Sequence, residues 1–347
     1  MSAQDVRAHF LGQAKACDAL GSPFTAKLCR ALAAVLDEST ITGRAVLGWP
    51  GDAQADAVSL RTCGALHALV LAGTDRRLAR IYPPNEAGED EIAAVLPDVL
   101  ARWDENLSAG LSSAPQTNEI ARSALLLPGF LTIARETGLP LDLNEIGASA
   151  GLNLLFDRFH YRYGDAEWGH PASPVRLEPE VLGNAVPLDG TLVVHRRGGC
   201  DIAPVDILDE AARRRLRSYV WPDQPLRMER LDAALSLGVQ FPPALERMDA
   251  AAFVGKALEA RHEGTAFVLY HSIMWQYMPL ATRDAISTTI EQAGRAATDS
   301  APVAWLRMEP VTVRDRFATL SLTLWPGGQT RKLARCDYHG RWMEWLG

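Results

Sequence analysis

The sequence has no long uninterrupted apolar run, although 48% of its 347 residues are hydrophobic. No window approaches the roughly 20 consecutive apolar residues that a membrane-spanning helix needs. The first ten residues, MSAQDVRAHF, carry polar and charged groups where a secretory signal peptide would need an apolar core. These absences predict a cytoplasmic protein without a membrane partner.

Cysteine is scarce and unpaired. The five cysteines are an odd number, lie far apart and form no C-x-x-C pair, which argues against a disulfide framework and a zinc knuckle. No two histidines have the H-x-x-x-H spacing, and Asp157 with His160 alone would make a poor metal site. We therefore expect reduced thiols and no bound metal.

An excess of basic charge is also missing, because the formal net charge is -7. A protein that coats nucleic acid needs a concentrated basic face to neutralise phosphates. The run Arg213, Arg214 and Arg215 is the local exception, and within a predicted helix it is typical of a solvated face. The charge balance argues against nucleic acid and is compatible with a small-molecule substrate.

Helical patterns fill the first 140 residues. Ser22 is a natural N-cap, with Pro23 at the first helical position. The segment EDEIAAVLPDVLARWDENL keeps a helical period, and Pro97 is expected to kink or split it. No convincing alternating strand precedes residue 141. We therefore predict a helical N-terminal region, 1–140, that serves as a lid or a scaffold.

Strands and helices alternate from residue 141 onwards. The apolar strand candidates LDLNEIG, TLVVHRRGGCD, LERMDA, TAFVLYH and APVAWLRME are separated by helical patterns. The tail ATLSLTLW-PGGQ-TRKLARC indicates a hairpin. Residues 141–347 are thus predicted to form an α/β domain: a Rossmann-like, doubly wound, mostly parallel sheet with a C-terminal antiparallel hairpin.

The stretch Gly147-Ala148-Ser149-Ala150-Gly151 permits two functional interpretations. It matches the G-x-S-x-G nucleophile elbow of hydrolases, and Asp249 and His271 follow in the order of a triad. However, that elbow comes after several earlier strands, whereas LDLNEIG is the first strand here. A cofactor-binding turn is favoured instead, because the first strand-turn-helix of a parallel sheet usually holds a nucleotide cofactor. A tight turn without a ligand stays open as well.

A cofactor turn would use these residue types in a definite way. Gly147 and Gly151 let the backbone turn sharply and approach a ligand. The amides that open the next helix can meet an anionic group. Ser149 would serve as a cap or a ligand hydroxyl, and the Glu145 carboxylate could meet an amino group.

NEIGASAGLN resembles the first motif of class I S-adenosylmethionine-dependent methyltransferases. RRGGCDIAPVD resembles their second motif and LERMDAAAFV their third, while TAFVLYHSIMWQYMP takes the place of the strand beside the methyl acceptor. The resemblance covers about 140–347 and implies S-adenosylmethionine as the cofactor, with Asp201 on the ribose hydroxyls and Asp249 and Ala250 beside the adenine. The implied cofactor-binding residues are Glu145, Gly147, Ala148, Ser149, Gly151, Asn153, Asp201, Asp249 and Ala250.

The chain departs from that family in two places. The second-motif acid usually follows the glycine turn by about twenty residues, so an insertion around 158–190 is assumed, with FHYRYG as an added strand. The helix expected between the fifth and sixth strands is reduced to PVTVRDRFA.

The acceptor side is predicted from side-chain chemistry. His271, at the end of an apolar strand, is the leading general base, and a structural histidine is the alternative. Trp275 and Tyr277 follow it and either line an acceptor pocket or pack in the core. In the PQTNE segment, Gln116, Asn118 and Glu119 either close over the ligand or belong to a helix cap at Thr117 or Asn118.

The whole chain also resembles a bacterial family of unknown function. This similarity rests on PQTNE, GASAGLNLLFDRF, SYVWPDQ, HSIMWQY, WPGG and HGRWMEW. The resulting hypothesis is a methyltransferase that acts on an unknown small molecule. Binding of the cofactor without catalysis is the first alternative, and a serine hydrolase that uses GASAG is the second.

Overall fold

A computed structural model describes residues 2–312 and 315–347 of the chain. It contains two compact units: Met1–Thr117 with Leu208–Glu229, and Asn118–Ile207 with Arg230–Gly347. The helices are α1 Ala3–Ala19, α2 Pro23–Val35, α3 Ile41–Leu47, α4 Val58–Leu71, α5 Arg76–Ile81, α6 Glu89–Arg102, α7 Asp104–Gly110, α8 Arg122–Thr137, α9 Glu210–Ser218, α10 Pro225–Gln240, α11 Ala250–Glu259 and α12 Leu280–Arg295.

The strands belong to two sheets. They are β1 Leu141–Ile146, β2 His160–Tyr163, β3 Ala166–Gly169, β4 Arg176–Leu177, β5 Glu180–Gly183, β6 Val194–Asp201, β7 Leu245–Arg247, β8 Ala266–Ser272, β9 Val303–Glu309, β10 Ala318–Trp325, β11 Gln329–Cys336 and β12 Trp342–Trp345. In the described part of the chain, no strand precedes β1. None of the helices there combines the length and apolar character needed to span a bilayer.

The first unit is helical, and a distant turn caps its second helix. Ser22 and Pro23 begin α2 as expected, but the Ser22 side chain does not cap the helix. The Asp223 carboxylate instead accepts hydrogen bonds from the Ser22 hydroxyl and from the Phe24 backbone N–H, the latter at 2.8 Å. The turn around Asp223 therefore has an architectural role.

Pro97 does not split its helix, so the expectation of a break at this residue is wrong. Helix α6 runs through this residue, and the segment divides at Trp103. Pro97 is exposed, while Ile92, Leu96 and Val99 pack in the core. Water can therefore hydrate the carbonyl that loses its donor, and the buried face holds the helix together.

The second unit contains the predicted doubly wound sheet, so the fold class is confirmed. Its nine strands have the order β5-β12-β11-β10-β9-β8-β1-β6-β7. The five strands β7, β6, β1, β8 and β9 are parallel to one another, and β10 is antiparallel to both β9 and β11. Helix α8 packs against β8, β9 and β10, whereas α11 contacts β1 and β6 and α12 contacts β9.

The strands at the centre of the sheet are buried along their length. Every residue of β1 is buried, as are the first six residues of β8. Strands covered on both faces need such continuous apolar runs, with polar residues confined to hydrogen-bonded or terminal positions. The predicted hairpin is also present, with Gly327 and Gly328 in left-handed conformations between β10 and β11.

Local structure differs from expectation at several points. The segment after the glycine turn is a 3₁₀ helix, Leu152–Arg158, and not an α-helix. Within 158–190, FHYRYG contains β2 as predicted; β2, β3 and β4 form a small sheet, and β5 joins β12 at the edge of the large one. The shortened connection after β9 includes residues 313 and 314, which lie outside the described residues.

Phe130 on α8 supports the sheet beneath its carboxyl edge. Its ring is fully buried and lies 4.3 Å from that of Phe156 and 5.0 Å from that of Tyr270, between centroids. We expect Phe130→Ala to lower the free energy of unfolding by about 3–5 kcal/mol, because it leaves a cavity among these rings. Urea denaturation measures this change. The control Leu280→Ala, at an exposed position, should change stability by less than about 0.5 kcal/mol; equal effects would contradict the packing argument.

Candidate functional site

The candidate site lies at the carboxyl edge of the parallel strands. Strand β1 pairs with β6 on one side and with β8 on the other, so later strands of the sheet lie on both sides of it. Ligands of open α/β sheets bind at such a switch point, outside the carboxyl ends of the strands. Strands β1, β6 and β8 place Glu145, Asp201 and His271 at this edge.

The turn after β1 depends on left-handed backbone conformations. Gly147, Ser149 and Gly151 have φ angles of 67°, 54° and 68°. A Cβ atom on Gly147 would lie 2.8 Å from Met274 Cε, and one on Gly151 would lie 2.9 Å from Leu245 Cδ2. Larger residues at either glycine would be strained by the conformation and by these contacts.

Most amides of this turn already donate within the protein. Ala148 N donates to the Cys200 carbonyl at 3.0 Å, and Gly151 N donates to the Ala148 carbonyl at 2.7 Å. Ser149 N donates to Asp201 Oδ2 at 2.9 Å, and Leu152 N donates to Asn118 Oδ1 at 2.9 Å. The expectation that these amides open an α-helix is therefore wrong, because the helix is 3₁₀, and a ligand anion would have to replace the acceptors that these four donors already have.

Asp201 joins the end of β6 to the turn. Its Oδ1 accepts from Ala203 N at 2.9 Å, while its Oδ2 accepts from Ser149 N. A carboxylate has about four lone-pair sites, so Asp201 keeps acceptor capacity for a ligand hydroxyl. The next residue, Ile202, is 77% exposed and extends an apolar side chain beside it.

The third-motif residues belong to the start of α11. Asp249 is its N-cap, and its Oδ1 accepts from Ala251 N and Ala252 N. Ala250 is the first residue of the helix and is buried. Their proposed place beside an adenine stays a prediction.

Asn118, Glu119 and Asn153 meet in the interior behind the turn. Asn118 accepts from Leu152 N, so it caps the 3₁₀ helix and not the helix that follows it in sequence. Asn153 Oδ1 accepts from the Ser123 hydroxyl at 2.8 Å, and Asn153 Nδ2 donates to the Glu119 carbonyl at 3.3 Å. These three side chains are buried and support the turn; Gln116 belongs to the first unit and is partly exposed.

Glu145 is buried beside Tyr270, on the neighbouring strand. The Tyr270 hydroxyl donates to Glu145 Oε2 at 3.2 Å. Burial raises the pKa of Glu145 to about 8, because loss of hydration disfavours the carboxylate. Glu145 is therefore mainly protonated at neutral pH and uncharged.

His271 forms a close pair with Glu309 at the end of β9. Its Nδ1 lies 2.7 Å from Glu309 Oε1, and the imidazole is fully buried. Trp275 stacks on it with ring centroids 4.9 Å apart. His271 Nε2 has no hydrogen-bond partner among the residues that the structure describes, which leaves one ring nitrogen available for chemistry.

The segment after β8 covers both His271 and the glycine turn. Ile273 adopts a left-handed φ of 51°, which is rare for a β-branched residue. Met274 N and Trp275 N donate to Glu309 Oε1 at 3.1 and 3.3 Å. The Met274 side chain packs on Gly147, and Tyr277 is 73% exposed.

Comparison with known proteins gives one result. A sequence model of a family described as "Uncharacterized protein conserved in bacteria (DUF2332)" matches residues 7–345. The chain belongs to this family. No curated protein and no solved structure matches the chain significantly. The match confirms the similarity to a bacterial family of unknown function and adds no support for the similarity to methyltransferases.

This DUF2332 protein shows no formed serine–histidine pair at GASAG. The Ser149 hydroxyl oxygen is buried and has no hydrogen-bond partner in 2–312 and 315–347. A nucleophilic serine needs a base within hydrogen-bond reach, although such contacts can be long in ligand-free proteins. Loss of a measured esterase activity in Ser149→Ala, with folding intact, would be required to support the hydrolase alternative.

Sequence reasoning missed Glu309 and Met274 in this DUF2332 protein. Glu309 ends the strand APVAWLRME, so the rule that singled out other acids at strand ends would also have found it. Met274 gave no signal, since its packing on Gly147 depends on the path of the chain after Ile273. The resulting site combines a hydrogen-bonded glycine turn, a buried His–Glu pair and the apolar side chain of Met274 over the turn.

The raised pKa of Glu145 predicts a pH-dependent stability. Its pKa rises from its ordinary value of 4.5 to about 8 on folding, so the folded state binds more protons between these values. The stabilising contribution of the protonated form is full at low pH and is lost as the pH rises towards about 8. Glu145→Gln imitates the protonated form, so its stability should increasingly exceed that of the wild type from about pH 5 to about pH 9, by a few kcal/mol.

Urea denaturation across this pH range measures the difference between the two proteins. The same substitution at Glu86, which is exposed, controls for the loss of one carboxylate. If the free energies of unfolding of Glu145→Gln and the wild type differed by the same amount at all pH values, the raised pKa of Glu145 would be contradicted.

Proposed function

We propose that this DUF2332 protein binds S-adenosylmethionine at the turn Gly147–Gly151 and transfers its methyl group to a small acceptor. One observation carries the proposal: a left-handed glycine turn follows the central strand of the parallel order β7-β6-β1-β8-β9 and is hydrogen-bonded to Asp201 at the end of β6. This arrangement agrees with the resemblance of the sequence motifs to class I methyltransferases.

The residues of the turn fit such a cofactor. Asp201 retains lone pairs that can accept from ribose hydroxyls, and the exposed Ile202 offers an apolar surface to a planar base. The buried Ser149 hydroxyl, unpartnered in the described part of the chain, can bond a polar ligand group. Met274 must move from Gly147, which its flexible thioether side chain permits.

S-adenosylmethionine, when bound, supplies an electrophilic methyl group on a sulfonium. The task of the protein is then to orient the acceptor and, where the acceptor carries a proton, to remove it. His271 Nε2 would take that proton, and Glu309 would stabilise the imidazolium through Nδ1–H. Trp275 and Tyr277 would line the approach of the acceptor.

Binding without catalysis is a second candidate function. It is favoured by the full burial of His271 beneath Trp275, since an acceptor must reach Nε2 for proton transfer. The two candidates share the cofactor and differ in whether the cover over His271 opens.

The proposal predicts that the cofactor stabilises the folded protein. S-adenosylmethionine and S-adenosylhomocysteine at about 1 mM should each raise the Tm, because a ligand that binds only the native state stabilises it by mass action. Gly147→Ala should weaken binding by about tenfold or more, since its Cβ is strained and enters the turn. Gly255→Ala, in α11 with open space around it, is the matched control. No shift with either ligand would overturn the proposal.

Glu145 provides a separate test of how the ligand is held. If the ammonium group of the ligand interacts with Glu145, binding should shift this residue from the protonated to the charged form. Because its pKa is about 8 without ligand, close to one proton should be released at about pH 7. Calorimetry in buffers with different ionisation enthalpies measures this release, and Glu145→Gln should abolish it. Binding without proton release would place the ammonium elsewhere.

A further inference from the structure

Glu309 Oε1 is the shared acceptor of three hydrogen bonds. The donors are His271 Nδ1 at 2.7 Å, Met274 N at 3.1 Å and Trp275 N at 3.3 Å. We propose that Glu309 is a positioning residue: it holds His271 in the Nδ1–H tautomer and couples His271 to the cover that Met274 forms over Gly147. The coupling rests on the proposed function, whereas the tautomer does not.

The tautomer follows from the chemistry of the pair. Glu309 Oε1 accepts from two backbone amides and so carries no hydrogen, and the nitrogen that faces it must therefore carry one. Nδ1 then donates to Glu309, and the lone pair lies on Nε2. The Trp275 ring is stacked at an angle of 14° to the imidazole and prevents it from turning. Partners of this kind fix the orientation and raise the basicity of a histidine.

The coupling follows from the sharing of one oxygen atom. The side chain of Met274 packs on Gly147, so a ligand that approaches Gly147 must displace it. A Cβ on Gly147 would also lie 3.1 Å from Met274 Cβ, so a ligand in this space displaces the backbone of Met274 and moves its N–H away from Glu309 Oε1. With one donor fewer, the oxygen bonds more strongly to His271 Nδ1–H. Occupancy of the glycine turn thereby changes the hydrogen bond that orients His271.

The backbone at Ile273 favours such a movement. A β-branched residue in the left-handed region is strained, and Ile273 N is held there by the Met308 carbonyl at 3.0 Å. Release of this strain on movement of Met274 would bring the covered and uncovered arrangements closer in free energy. If ligand binding strengthens the hydrogen bond between His271 and Glu309, that hydrogen bond must favour ligand binding by the same free energy.

The tautomer can be measured on the full chain without any ligand. Long-range proton–nitrogen NMR spectra of protein labelled with ¹⁵N-histidine distinguish the two ring nitrogens, and His271→Asn assigns the signals. We expect a protonated Nδ1 and an unprotonated Nε2 in the wild type. A protonated Nε2 with a bare Nδ1 would overturn the inference, and this measurement does not depend on the folding of any Glu309 variant.

Glu309→Met tests whether the acceptor sets the tautomer. The Met side chain keeps the length of Glu309 but offers only a weak acceptor, so we expect a substantial population of the Nε2–H tautomer in this variant. Glu344→Met is the matched control: Glu344 on β12 pairs with Arg335 on β11, and its loss should leave the His271 signals unchanged. A pure Nδ1–H tautomer in Glu309→Met would show that Glu309 does not select it.

Saturating S-adenosylhomocysteine tests the coupling. With binding monitored by calorimetry, we expect the His271 Nδ1 signal to move in the wild type and in Glu344→Met, and to stay fixed in Glu309→Met. Binding without a change at His271 in the wild type would overturn the coupling alone. Absence of binding would overturn the proposed function and the coupling with it, while the tautomer result would stand.

Discussion

The hydrogen bonds of the buried turn between Gly147 and Leu152 are the constraint on which the rest of the site depends. An amide buried without an acceptor costs about 1–3 kcal/mol, and several amides are buried together here. Their acceptors come from the end of β6, from Asp201 and from Asn118. The turn can therefore exist only where these separate segments converge, and its geometry is fixed by the whole second unit.

The three acids at this edge differ because their surroundings differ. Asp201 is half-buried and orients the turn through two backbone donors. Glu309 accepts from two amides and from His271. Glu145, fully enclosed and bonded to a tyrosine hydroxyl, has a raised pKa and is uncharged. Equivalent positions at the ends of parallel strands thus provide an orienting group, a partner for a histidine and a neutral acid.

Sequence patterns predicted most of the secondary structure for local reasons. A continuous apolar run marked β8, a short strand pattern that ends in glycine marked β1, and Pro-Gly-Gly marked the hairpin between β10 and β11. Prediction failed where tertiary contacts override local preference. Burial of one helix face carried α6 through Pro97, and the segment after Gly151 became a 3₁₀ helix capped by Asn118. The short strands β5 and β12 were missed because they depend on distant partners: β5 pairs with β12, and β12 pairs with β5 and β11.

The sequence by itself determined the class of fold, the place of the glycine turn and the strand ends that carry polar side chains, because hydrophobic period and turn chemistry are local properties. Tertiary structure decided which of these side chains are charged, bonded or covered. The interior placement of Asn118, the pairing of His271 with Glu309 and the packing of Met274 on Gly147 join residues far apart in sequence. No local pattern encodes such contacts, since they form only when separate strands reach the same edge of one sheet.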